Sequence, residues 1–101
     1  MGVSPAFAST MTDRLAQAQA AQSHGQDELA VRMAQSAIVA DPADPVAYIG
    51  LANIYARQGH DEFAHSYYDK ALAIDPSNAA ALKAVAALDK KSKSDTASAT
   101  P

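Results

Sequence analysis

Residues 45–78 read PVAYIGLANIYARQGHDEFAHSYYDKALAIDPSN. Apolar and small side chains recur at Tyr48, Leu51, Ala52 and Tyr55 with the i, i+3, i+4, i+7 spacing of one helical face. Pro45 stands at a first helical position, where its missing N–H costs nothing, and Asp44 precedes it as a cap. Gly59 tolerates the positive φ of a helix end. Asp61 and Glu62 then complement the dipole of a second helix, and Pro76 forbids its continuation. The segment therefore predicts a helix from Pro45 to about Gln58 and another over about Asp61–Ile74, folded back on each other.

The stretch just before it repeats the design, with Asp41-Pro42 answering Asp75-Pro76. When Ala16–Pro42 is set against Gly50–Pro76, eight positions are identical. They are Ala18/Ala52, Gly25/Gly59, Asp27/Asp61, Glu28/Glu62, Ala30/Ala64, Ala37/Ala71, Asp41/Asp75 and Pro42/Pro76. The shared residues are those that stop, start and closely pack helices. The earlier unit lacks bulk: Arg14, Gln17, Ala21 and Ala34 stand where the later one has Tyr48, Leu51, Tyr55 and Tyr68.

A helix-turn-helix unit recurring with this period, with Tyr48, Leu51, Ala52, Tyr55, Gly59, Ala64, Tyr68, Ala71 and Pro76 at its signature positions, resembles the tetratricopeptide repeat. Tyr48 replaces the usual Trp and Ala52 the first small Gly. The resemblance covers about Met11 to Lys91. It implies an all-α solenoid of antiparallel helical hairpins, with repeat 1 over about 11–44, repeat 2 over about 45–78 and a C-terminal capping helix over about 79–91. Thr10 or Thr12 is the expected cap of the first helix, which runs to about His24. The second is expected over about Asp27–Ala40, and Asn78 caps the fifth. Leu82, Val85 and Ala86 are expected to face the assembly, with Asp89 as a solvating cap. Tyr67, one step off the aromatic stripe, is expected to meet the neighbouring unit.

Residues 1–10 read as a flexible leader. Ala6-Phe7-Ala8 has the small-x-small form of a signal-peptide cleavage site, and a trimmed signal peptide is the alternative reading. Residues 92–101 contain no bulky apolar side chain and are expected to be disordered. Apolar residues make up 49% of the chain, but 25 of them are alanine, so the core is expected to be thin.

Net charge is −3, carried unevenly: residues 1–78 have four basic and nine acidic side chains, residues 79–101 four basic and two acidic. That distribution argues against nucleic-acid binding, which uses a broad basic face. Lys90, Lys91 and Lys93 are expected to complement the end of the last helix. No run approaches the ~18 apolar residues of a membrane span. The chain has no cysteine, which removes thiol chemistry and cysteine-based metal sites. His24, His60 and His65 read as surface residues, since His60 and His65 are not the i, i+4 pair of a helical metal site. No catalytic constellation, metal site or cofactor is expected. The cytoplasm is favoured over a bacterial periplasm without being decided.

The expected function is therefore binding: a non-enzymatic interaction module gripping a peptide or helix of another protein. The resemblance implies that the first helix of each unit lines a concave groove. The groove residues read from that register are Leu15, Gln19, Val46, Ile49, Asn53, Arg57 and Lys83, flanked by Gln22 and Ser23. Asn53 offers a donor and an acceptor to a peptide backbone, and Arg57 and Lys83 suit a carboxylate. Some family members clamp a terminal carboxylate; Asn53 matches one such position, whereas Ala16, Gly50, Ala80 and Ala84 lack the remaining polar groups, so that clamp is not expected. The rival expectation is a unit that homo-oligomerises through exposed helix edges, with Leu15, Ala18 and Ala21 accepting another helix.

Overall fold

The computed structural model describes the backbone of residues 6–99 and the side chains of residues 10–93. Five helices follow one another: α1 (Ala6–Ser23), α2 (Asp27–Ala40), α3 (Pro45–Arg57), α4 (Asp61–Ile74) and α5 (Ala79–Ala99). There is no strand among the described residues. The pairs α1–α2 and α3–α4 form antiparallel hairpins, and α5 packs on α4.

The turns are built as the repeat demands. Gly25 and Gly59 adopt φ of +73° and +83°. Around Gly59 the His60 N–H donates to the Tyr55 carbonyl at 2.9 Å and the Gly59 N–H to Ala56 at 3.1 Å. Gln26 and Gly25 make the equivalent bonds to Ala21 and Gln22 at 2.9 and 3.0 Å. Each set closes the last helical turn in a Schellman motif, satisfying carbonyls that have no partner within the helix. Asp44 caps α3 by accepting from the Val46 N–H at 2.9 Å, and Asn78 caps α5 by accepting from Ala81 at 3.0 Å.

Two connected core clusters hold the hairpins. The first joins α1, α2 and α3 through Met11, Leu15, Ala34, Ala37, Leu51 and Ile54, among others. The second joins α3, α4 and α5 through Ala52, Ala64, Tyr68, Ala71 and Ala81. Tyr55 and Tyr67 pack against both, which puts Tyr67 at the junction with the first unit. Ala52 and Ala64 are fully buried and admit a close approach of α3 and α4. The first hairpin substitutes Met11 and Leu15 for the bulk missing at Ala21 and Ala34.

Several expectations are corrected. α1 begins at Ala6, ahead of Thr10 and Thr12, because Ala6-Phe7-Ala8-Ser9 contains no helix breaker and extending a packed helix is easy. Residues 1–5 of the expected leader and 100–101 of the expected tail lie outside the described residues. α5 continues past Lys91 to Ala99, through a segment with no Gly or Pro to stop it. Lys90, Lys91 and Lys93 therefore sit inside the helix and not in its last turn.

The inward face of α5 is also shifted. Ala81 is buried and Ala84, Val85 and Leu88 pack on the second cluster, whereas Leu82 is 49% exposed and Ala86 is exposed. Moved back by one repeat, Ala81, Ala84, Val85 and Leu88 become Ala47, Gly50, Leu51 and Ile54, the face α3 turns to the first unit. α5 thus repeats the inter-unit contact, while its intra-unit face meets no following helix among the described residues. Asp89 does more than solvate. It meets His65 Nε2 at 3.2 Å, while Asp69 meets Nδ1 at 3.2 Å, and Lys91 pairs with Asp61 at 2.8 Å.

Candidate peptide-binding cleft

α1 and α3, the first helices of the two hairpins, run parallel and touch where Leu15 lies against Gly50. Towards their C-terminal ends they part, and a cleft of about 340 Å³ opens between them. Gln19, Gln22 and Ser23 form one wall, and Gly50, Asn53, Ile54 and Arg57 the other. Arg57 falls in the last turn of α3, where a cation complements the helix dipole.

Side chains cross-link the walls. Gln22 Nε2 donates to the Ile54 carbonyl at 3.2 Å, and Arg57 Nη1 approaches Gln22 Oε1 at 3.5 Å. Ser23 Oγ donates to the Gln19 carbonyl at 2.9 Å. From behind, the Tyr68 hydroxyl donates to Asn53 Oδ1. Burial pushes the Tyr68 phenol above its ordinary pKa, and the positive charge of Arg57 partly offsets that rise. The neutral phenol thus remains a donor, and it holds the Asn53 amide by its oxygen.

The structure gathers some of the sequence-derived groove residues and separates others. Gln19, Asn53 and Arg57 line this one cleft, with Gln22 and Ser23. Leu15 does not: it is buried in the first core cluster, because Gly50 has no side chain to keep it out. Ala18 and Ala21 are likewise interior, so the three residues expected to accept another helix at the open edge are already covered. Ile49 is half-buried against the second cluster. Val46 is half-exposed and Lys83 is exposed, both outside the cleft lining.

Two contributors escape a reading of the sequence: the Ile54 carbonyl and the Tyr68 hydroxyl. The second leaves a signal, since a buried tyrosine hydroxyl almost always finds a partner. Asn53, in turn, lies on the helix that faces Tyr68.

No helix among the described residues is long and apolar enough to cross a membrane. No curated protein matches the chain. The family model of the tetratricopeptide repeat matches residues 45–78, the span from the Pro45 start of α3 to the Asn78 cap of α5. The α3–α4 hairpin, with its flanking turns, thus matches a tetratricopeptide repeat in both sequence and helix-turn-helix form.

Proposed function

We propose that this protein is a non-catalytic adaptor that grips an acidic, extended segment of a partner protein in the α1–α3 cleft. Tetratricopeptide repeats generally mediate protein–protein interactions, which supports the class. The observation that carries the finer reading is how the cleft's hydrogen-bonding groups are used. Gln22 engages its amide N–H with Ile54 and its oxygen with Arg57, and the Asn53 oxygen accepts from Tyr68. What faces a ligand is therefore weighted towards donors: the Asn53 NH₂ and the remaining guanidinium N–H groups of Arg57, the one charged residue of the lining. Such a surface pairs with carboxylates and backbone carbonyls.

The test is affinity capture from source lysate, comparing wild type with Asn53→Asp/Arg57→Glu after circular dichroism has shown both to be folded. A partner captured by the wild type and lost in the double variant is expected, and its binding segment, mapped by peptide array, should be acidic. Capture unaffected by the double variant would remove this cleft from the interaction.

A further inference from the structure

His65 engages carboxylates with both of its ring nitrogens, one on each side of the α4–α5 seam. On its own helix Nδ1 lies 3.2 Å from Asp69 Oδ2, and across the seam Nε2 lies 3.2 Å from Asp89 Oδ1. A neutral imidazole carries one N–H, so it donates to one carboxylate and turns a lone pair on the other. The imidazolium carries two N–H groups and satisfies both. The contact that ties α5 to α4 therefore competes with the contact inside α4 until the ring takes up a proton.

The surroundings favour that proton. Asp61, Glu62, His65, Leu88, Asp89 and Ser92 line a pocket of about 180 Å³ along the seam. Asp69 adds a further carboxylate from α4. Lys91 brings a cation from α5, and it pairs with Asp61 at 2.8 Å. The side of α4 that packs on α3 carries Ala64, Tyr68 and Ala71. The apolar grip of α5 is slight, since two of its four core-facing residues, Ala81, Ala84, Val85 and Leu88, are alanines. A polar tie across the seam is then a sizeable part of what holds the helix.

We propose that His65 is a proton-operated clasp: on taking up a proton below neutral pH it binds Asp69 and Asp89 together and tightens α5 over the second core cluster. Between pH 8 and 5.5 histidine as a residue type gains its charge, while aspartate and glutamate keep theirs. The clasp therefore closes as pH falls through this range and is weakest in mild alkali. His65 is 37% exposed, so water screens the bonds and the effect is modest. The inference is independent of the α1–α3 cleft and of any partner.

The test is amide hydrogen exchange on the ¹⁵N-labelled full chain at pH 8 and pH 5.5, each rate divided by the intrinsic rate at that pH. Val85 and Leu88 report the opening of α5. Their protection in the wild type is expected to rise by about twofold to fivefold at the lower pH. Asp89→Asn removes the carboxylate across the seam and leaves Asp69 in place; the rise should vanish. His65→Gln should abolish it as well, and both substitutions fall at sites open to solvent, so the fold is kept. His60→Gln, in the α3–α4 turn, should retain the full rise.

Protection of Val85 and Leu88 that is equal or lower at pH 5.5 in the wild type would overturn the inference. So would a rise of the same size in His65→Gln or Asp89→Asn.

Discussion

Gly50→Ala isolates the contact that joins the two hairpins at α1 and α3. A Cβ on Gly50 falls 2.5 Å from Leu15 Cδ2, 3.4 Å from Cδ1 and 3.5 Å from Cγ. Carbon pairs prefer about 3.5–4.0 Å, so a single methyl overlaps badly while the other two contacts are near ordinary distance. Two effects oppose each other. Replacing a mid-helix glycine by alanine stabilises by about 0.5–1 kcal/mol. Overpacking costs about 1–3 kcal/mol, and the rotation open to a Leu15 methyl keeps it below the top of that range. The net expectation is a destabilisation of about 0–2 kcal/mol.

Leu15→Ala alone should cost about 2–5 kcal/mol through the cavity it leaves. In that background nothing opposes the new methyl, so Gly50→Ala should become stabilising by about 0.5–1 kcal/mol. The mutation thus changes sign, and the coupling in a double-mutant cycle is about 1–3 kcal/mol. Urea unfolding followed by far-UV circular dichroism on the four proteins measures it. If Gly50→Ala stabilised equally in both backgrounds, the packing of Leu15 on Gly50 would be refuted.

Gly59→Ala should destabilise by about 1–2 kcal/mol, the cost of a left-handed alanine. A Cβ there meets nothing within 4 Å, so the loss is purely conformational and should appear as a lower Tm in a thermal scan. Tyr68→Phe should alter the alkaline limb of stability. Burial raises the Tyr68 pKa, so its contribution is present below the ordinary tyrosine range of about 10 and is lost as pH rises through the folded value. Tyr55 acts in the same direction, by burial and then by the neighbouring Tyr67. The urea midpoint of the wild type should therefore fall in strong alkali, with a shallower fall in Tyr68→Phe; parallel profiles would contradict the assignment.

The helix limits of α2 and α4 can be read residue by residue, because Asp27, Asp61, Gly59 and Pro76 act on the backbone of their own neighbourhood. The α3–α4 interior is equally legible: Tyr48, Leu51, Ala52 and Tyr55 mark one face, and Ala64, Tyr68 and Ala71 answer it. Periodicity misplaces Leu15 because it identifies apolar residues without saying which neighbour covers them. Gly50 decides that, by leaving room for Leu15 rather than for a ligand. In α5 the pattern points one face out for a related reason. α5 keeps the contact with the unit before it, and Leu82 and Ala86 belong to the other face, which meets no further helix among the described residues. Of the candidate cleft, Gln19, Asn53 and Arg57 follow from helical register. The donor bias does not, because it arises from bonds between Gln22, Ile54, Arg57 and Tyr68 that span distant turns of the chain.

Tyr55 and Tyr67 touch both core clusters, and that shared membership governs how the molecule comes apart. In repeat proteins, stability is close to a sum of each unit's own stability and the terms between neighbours. The first hairpin is intrinsically weak, with alanines at the centre of its interior, so it relies on the neighbour term. The two rings contribute to that term beside Ala47, Leu51 and Ile54, which are buried against the first hairpin. A chain that keeps the rings is expected to melt in a single cooperative step, and one that loses them to separate into a firm half and a frayed half. Their stacking therefore acts as the coupling constant of a two-link chain, transmitting order from the well-packed hairpin to the sparse one.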